Sequence, residues 1–167
     1  LVYSEIDPLL PARQTPATYT QTRGVAGYVP KYFLVNGQPY SAATPPISGL
    51  NINDRVLIRL VNAGLKTHVP TLLGGYLTLV AEDANPYPFQ KKQYSVNLPP
   101  LKTIDALWVP TANGTYPFYD RSLDLTNNGS LGGGMLSKLV VGAVPGAPVA
   151  VNDSYPATED APLVVPA

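Results

Sequence analysis

The clearest pattern in the chain is a strict alternation of side chains over residues 55–61. Val56, Ile58 and Leu60 face one way, and the other face carries Arg55, Leu57, Arg59 and Val61. A period of two predicts a β-strand with one buried face. The opposite face mixes charge with bulk, so we expect it to be only partly exposed. Leu50 and Ile52 predict a strand just before it, with a turn at Asn53-Asp54.

Short apolar segments separated by turn residues recur along the rest of the chain. They predict further strands at residues 1–6, 32–35, 76–82, 93–98, 104–109, 114–119 and 135–141. Asn36-Gly37 and residues 83–88 are predicted turns. Strands at a spacing of roughly ten residues, with no segment of helical periodicity, favour an all-β sandwich or barrel.

The pattern changes at Gly142, which suggests a boundary. Residues 1–142 are predicted to form one domain, and residues 143–148 a Pro-rich linker. Residues 149–167 have strand-like ends but are too few to bury a core. We expect an extended tail that is the first strand of a following domain in a longer protein. Residues 149–165 could then associate by adding a strand to the edge of a sheet.

Composition excludes several classes of partner. The 11 basic and 11 acidic side chains cancel, so nothing favours nucleic acid or an anionic membrane. No apolar stretch reaches the roughly 20 residues of a membrane helix, so membrane insertion is not expected. The chain contains no cysteine, which removes disulfides, thiol nucleophiles and the thiolate of a blue-copper centre.

His68 is the single histidine of the chain and the only weak candidate for a metal ligand. A transition-metal site needs several converging ligands, which one imidazole cannot supply. A hydrogen-bonded or surface histidine and a ligand shared with a neighbouring domain both remain open. No G-x-S-x-G motif occurs, and we predict no catalytic residue and no cofactor in this chain.

Carboxylates and tyrosines offer an alternative chemistry. Glu5 and Asp7 could share one face of a strand, whereas Glu82 and Asp83 would point to opposite faces. Asp120 and Asp124 follow the tyrosine-rich residues 116–119. Such residues could present a surface to a glycan or a protein, although tyrosines in β-sandwiches also serve as half-buried packing.

Several segments resemble the cupredoxin domain of the multicopper oxidase family. The likeness covers residues 1–142 and rests on Tyr32-Phe-Leu-Val-Asn-Gly-Gln-Pro-Tyr40, Val56-Leu-Ile-Arg-Leu-Val-Asn-Ala-Gly64, Thr67-His-Val69, Leu79-Val-Ala-Glu-Asp-Ala-Asn-Pro86, Gly114-Thr-Tyr-Pro-Phe-Tyr119 and Gly134-Met-Leu-Ser-Lys-Leu-Val-Val141. The resemblance implies a cupredoxin-like Greek-key β-sandwich.

The ligand positions of that family are altered here. Of the four histidines in the family's copper-binding strand, only the first is kept, as His68; the others correspond to Thr71, Leu73 and Gly75. The family's His-Cys-His reads Tyr119-Asp120-Arg121, and its further histidine corresponds to Thr126. Met135 is retained, and we interpret it as a core residue.

These changes imply a copper-free domain of the middle type. By the resemblance, it would be a non-catalytic scaffold between flanking cupredoxin domains of the same polypeptide, which would hold the copper and oxidise a substrate with reduction of O2. The alternative is an extracellular binding or adhesion module that presents tyrosine-rich loops.

The tail resembles the opening of bacterial cadherin-like or Ig-like repeats. Calcium ligands in such repeats are carboxylates, and Asp153, Glu159 and Asp160 match them in type. This resemblance implies a secreted bacterial protein, extracellular or periplasmic.

Overall fold

The computed structural model describes residues 1–9 and 27–142, which contain twelve β-strands. The strands are β1 Val2–Ile6, β2 Tyr32–Val35, β3 Ile47–Leu50, β4 Val56–Asn62, β5 Pro70–Leu72, β6 Leu77–Glu82, β7 Asn85–Gln93, β8 Thr103–Trp108, β9 Gly114–Asp120, β10 Thr126–Asn127, β11 Ser130–Leu131 and β12 Leu136–Val141. The all-β prediction is therefore confirmed.

The strands form two sheets, as expected for a cupredoxin-like sandwich. The larger sheet has the order β11-β10-β2-β1-β4-β8-β6-β7, and the smaller has the order β3-β12-β9-β5. Most neighbours are antiparallel, but β1 pairs parallel with β4, and β3 pairs parallel with β12. Strands distant in sequence are thus neighbours in space, which is typical of Greek-key connections.

The core lies between the inner faces of the two sheets. In β4, Ile58 and Leu60 are buried and Leu57 is nearly half exposed, as the alternation predicts. Leu60 of the larger sheet and Phe118 of the smaller sheet belong to one apolar cluster. Met135 is fully buried in this cluster, which confirms its interpretation as core. Burial of such side chains contributes about 1.5–3 kcal/mol each.

One predicted strand is displaced in the structure. We expected a turn over residues 83–88 and a strand over 93–98, but β7 runs over Asn85–Gln93. The prolines at 86 and 88 favoured the turn. However, β7 is the last strand of its sheet, and an edge strand tolerates proline because one side needs no hydrogen bonds. Residues 95 and 98 form only isolated bridges, to Thr71 and His68.

Asn62 fixes the loop that follows β4. Its Nδ2 donates hydrogen bonds to the carbonyls of Lys66 at 2.7 Å and Leu98 at 2.9 Å, and its Oδ1 accepts one from the amide of Gly64 at 2.8 Å. The side chain is only 1% exposed, so these bonds satisfy a polar group that water does not reach. The loop in turn presents His68 to the interior.

In the part of the chain that the structure describes, no helix is long and apolar enough to cross a membrane. The predicted linker, the tail and the carboxylates Asp153, Glu159 and Asp160 lie outside the described residues, so their predictions remain open.

Candidate functional site, a buried histidine between two carboxylates

His68 lies in the interior of the sandwich, with no exposed surface. It is in an extended segment just before β5, and its backbone exchanges two hydrogen bonds with Leu98, of 3.0 and 2.9 Å. This pairing aims the imidazole at the space between β1 and the end of β9. Of the two interpretations considered for His68, its contacts within this chain match the hydrogen-bonded one.

Both ring nitrogens of His68 contact a carboxylate. Nδ1 lies 2.8 Å from Oδ2 of Asp120, and Nε2 lies 2.9 Å from Oε2 of Glu5. The three side chains have no exposed surface. A nitrogen facing a carboxylate oxygen must carry a proton to form a hydrogen bond, so this arrangement calls for the doubly protonated imidazolium when both acids are ionised.

The protonation equilibria agree with an imidazolium. Burial alone would lower the pKa of His68, but the hydrogen bonds with Asp120 and Glu5 outweigh it and raise this pKa to about 9. For Glu5 and for Asp120, burial acts to raise the pKa, yet the hydrogen bonds from His68 and from backbone amides lower it overall. One buried cation is therefore held between two buried anions.

Glu5 is positioned by β1 and by the loop after β4. Its Oε1 accepts hydrogen bonds from the amides of Leu65, at 2.5 Å, and Lys66, at 2.8 Å, and from the hydroxyl of Tyr28, at 3.1 Å. Gly64 lies directly against this carboxylate, and a Cβ atom at residue 64 would overlap it. A glycine at that position therefore allows the loop to close over Glu5.

Asp120 is positioned at the end of β9. Its Oδ1 accepts hydrogen bonds from the amides of Val69, at 2.7 Å, and Ser122, at 3.1 Å. With the His68 contact through Oδ2, the carboxylate ties the end of β9 to the segment that carries the histidine. Each of these bonds to a charged acceptor contributes about 1.5–3 kcal/mol.

Asp124 and Lys66 form a second ion pair beside the first. The ammonium of Lys66 lies 2.9 Å from both carboxylate oxygens of Asp124, and 4.8 Å from the centre of the Phe33 ring. Oδ2 of Asp124 is 3.7 Å from Nδ1 of His68. Burial raises the pKa of Asp124, and Lys66 only partly offsets this.

Tyr3 packs against the same cluster. The centres of its ring and of the His68 ring are 6.0 Å apart. Tyr3 is fully buried, and its hydroxyl has no hydrogen-bond partner among the residues that the structure describes. Burial first, and then the nearby charge of Asp120, raise its pKa. The hydroxyl thus remains a neutral, unsatisfied donor.

The donor atoms at this site do not match those of a copper centre. Ligand atoms of His68, Asp120 and Asp124 lie within 4.8 Å of one another, so the group has the size of a metal site. However, a blue-copper centre requires two imidazoles and a thiolate, and the chain has one histidine and no cysteine. Metal binding would also have to displace the proton on Nδ1 and the ammonium of Lys66.

The structure joins some predicted residues and separates others. Asp120 and Asp124 converge on His68 instead of forming a surface with the nearby tyrosines. Glu5 and Asp7 are both buried, but Asp7 accepts hydrogen bonds from the amides of Leu9, at 2.9 Å, and Val29, at 3.0 Å. Sequence reasoning did not pair Glu5 with His68, because the parallel contact of β1 with β4 is not visible in the pattern.

Comparison with known proteins identifies the family of this chain. The multicopper oxidase family model matches residues 9–134, about three-quarters of the chain. The chain belongs to the multicopper oxidase family.

Solved multicopper oxidase structures share the fold. The blue copper oxidase from Nitrosomonas europaea superposes with a TM-score of 0.69 at 21% identity, covering 84% of this chain and 42% of that one. The multicopper oxidase mgLAC gives a TM-score of 0.71 at 21% identity, covering 87% of this chain and 44% of that one. No curated protein matches the sequence.

A copper-containing reductase also has a similar fold. The copper-containing nitrite reductase from Thermus scotoductus superposes with a TM-score of 0.63 at 18% identity, over 84% of this chain and 29% of that one. This multicopper oxidase domain thus spans less than half the length of each of these proteins. Such identities establish the shared fold alone.

Proposed function

We propose that this chain is a copper-free, non-catalytic domain of a larger multicopper oxidase, in which it acts as a scaffold and an interface between domains. The single observation that carries this proposal is the environment of His68. The only imidazole of the chain is fully buried and has a carboxylate on each ring nitrogen. It has no lone pair left to offer a metal, whether from this domain or from a neighbour.

The position of Asp120 supports the same interpretation. In the resemblance noted above, Asp120 stands where the family has its thiolate, and His68 stands where it has its first histidine. In this chain the two residues form a hydrogen-bonded ion pair with each other. The imidazolium would then supply internally the positive charge that a metal supplies in related domains, and would join β9 to the loop before β5.

The length of the chain supports a role within a larger protein. It spans 42% and 44% of two multicopper oxidases of similar fold. In the proposed parent, flanking cupredoxin domains hold the copper and perform the oxidation, and this domain orients them. The same proposal places the parent outside the cytoplasm, in the periplasm or the extracellular medium of a bacterium.

Copper loading tests the copper-free part of the proposal. The chain is incubated with Cu(II), then with Cu(I), passed over a desalting column, and assayed for bound metal and for absorption near 600 nm. We expect no intense band and no stoichiometric copper. The His68→Gln variant is the control. Stoichiometric copper that is retained by the native chain and lost in this variant would overturn the proposal.

The scaffold role is tested in the longer protein that contains the domain. Deletion of residues 1–142 should abolish oxidase activity, although it removes neither a thiolate nor a second imidazole. A deletion protein that keeps both its copper content and its oxidase activity would contradict the scaffold role without bearing on copper binding by the isolated chain.

A further inference from the structure

A groove of about 470 Å³ is lined by residues from both sheets. One wall contains Trp108 of β8 and Tyr116 of β9, whose rings meet edge to face at 4.9 Å. Gly74-Gly75 and the exposed Tyr76 form another part of the lining. A volume of this size is within the range that holds small-molecule ligands. The groove shares no residue with the cluster around His68.

The charge of the groove is positive. Arg55 and Lys92 line it, and no carboxylate does so among the described residues. Lys92 is held 5.6 Å from the centre of the Tyr76 ring. Arg55 has no hydrogen bond or ion pair in the part of the chain that the structure describes, whereas Arg59 on the adjoining strand pairs with Asp105 at 3.6 Å. The free guanidinium is suited to bind a carboxylate through two parallel hydrogen bonds.

The indole of Trp108 provides a donor at the same place. Only 2% of Trp108 is exposed. Its indole N–H has no acceptor within the described ranges. Gly75 lies beside it, because a Cβ atom at residue 75 would come within 2.9 Å of Nε1 and 2.7 Å of Leu72. Glycine at residue 75 therefore leaves open the space into which the indole N–H can donate.

We propose that this groove binds a ring that carries a carboxylate. Arg55 and Lys92 neutralise the carboxylate, the aromatic faces of Tyr76 and Tyr116 pack against the ring, and the indole N–H donates to an oxygen of the ligand. Two sources share this chemistry: the uronic acid units of an acidic polysaccharide, and a free aromatic acid. The site would give the domain a binding role that needs no metal and is independent of the proposed scaffold function.

The single tryptophan of the chain makes a direct test possible. The indole N–H of Trp108 gives one resonance in a ¹H–¹⁵N spectrum of the 167-residue chain. This resonance is followed during titration with trigalacturonate, with its methyl ester, and with 4-hydroxybenzoate. We expect a saturable shift with the free acids and little shift with the ester. A stronger response to trigalacturonate or to 4-hydroxybenzoate decides between the two sources.

Two arginine variants make a matched pair. Arg55→Gln removes a charge from the groove, and Arg59→Gln removes one from the same strand region but outside the groove. We expect Arg55→Gln to weaken binding about tenfold or more and Arg59→Gln to leave it unchanged. The proposal fails if no carboxylate shifts the indole resonance at about millimolar concentration, if the ester binds as well as the acid, or if both variants weaken binding equally.

Discussion

The Nδ1 atom of His68 lies 2.8 Å from Oδ2 of Asp120, and 52 positions of sequence separate the two residues. Asp120 ends a strand of the smaller sheet, and Glu5, on the other ring nitrogen, is in the larger one. The imidazole therefore bridges the two layers through charge. This bridge makes the stability of the domain depend on protonation in a way that an apolar core would not.

Stability should decrease on the alkaline side. The pKa of His68 rises from 6.5 in the unfolded chain to about 9 in the fold, so its contribution is complete below pH 6.5 and is lost as the pH rises through about 9. The difference corresponds to about 3 kcal/mol. Urea unfolding at pH 6 and pH 10 measures it. The His68→Gln variant should lose much less between these pH values, and an equal loss in both proteins would contradict the assignment.

Acid should destabilise the domain by protonating Glu5 and Asp120, the two partners of His68. The pKa values of Glu5 and Asp120 are lowered in the fold, so their contribution is present above their unfolded pKa values, near 4, and decreases as the pH falls below them. Asp124, whose pKa is raised, has the opposite sign. We therefore expect the triple variant Glu5→Gln/His68→Gln/Asp120→Asn to have a flatter acid limb of the unfolding curve than the native chain. His68 is replaced together with its partners because burial without them would lower its pKa and add a new acid dependence. An unchanged acid limb would exclude these two groups as its origin.

Removal of the imidazolium alone should cost more than removal of the whole triad. His68→Gln leaves Glu5 and Asp120 buried without their counter-charge, and we expect a loss of about 3–5 kcal/mol in the free energy of unfolding. The triple variant Glu5→Gln/His68→Gln/Asp120→Asn has no buried charge to compensate, so it should recover part of that loss. Denaturant unfolding at pH 7 compares the three proteins. A triple variant less stable than His68→Gln would indicate that hydrogen-bond geometry dominates over charge.

Tyr3→Phe should stabilise the domain. The hydroxyl of Tyr3 is buried with no partner among the described residues, and the ring packs in the core. Phenylalanine keeps the ring and removes an unsatisfied polar group that costs about 1–3 kcal/mol. Thermal and urea unfolding of the variant should shift upwards. A clear loss of stability would mean that the hydroxyl has a partner, such as a bound water.

The exposed ion network around Lys102 should contribute much less to the free energy of unfolding than the buried ion pairs around His68. Lys102 lies 2.7 Å from a carboxylate oxygen of Asp83 and also contacts Glu82, and its ammonium has a raised pKa from these two partners. All three side chains are more than a third exposed, so water and salt screen the attraction. Lys102→Gln should reduce stability only slightly at low salt, and not at all in about 1 M salt. A loss that persists in salt would contradict this.

The sequence predicted the strands whose apolar residues alternate or form a short run, including β9 with its Pro117, but it missed β5 and misplaced β7. Strands β4, β6 and β8 follow the alternation, because one face of each is buried. By contrast, β5 is three residues long and buried throughout, so it has no alternation to detect. β7 was missed because its prolines suggest a turn, and only its place at the edge of the sheet permits them.

The site was less predictable than the fold. A solitary histidine among carboxylates was visible in the sequence, and so was the mismatch with a copper centre. The pairing of His68 with Glu5 depends on the contact between β1 and β4 and on a glycine at residue 64. These are features of topology and close packing, which a linear pattern does not encode.

The bridge around His68 also orders events during synthesis. Glu5 leaves the ribosome before His68, and Asp120 emerges only when most of residues 1–142 have been made. Until then, the histidine and the glutamate have no complete shell of partners, so a nascent N-terminal half cannot enclose them without penalty. Such long-range closure slows folding. It also makes the final docking of the two layers cooperative, because a chain that stops short of Asp120 lacks the anion that closes the interior.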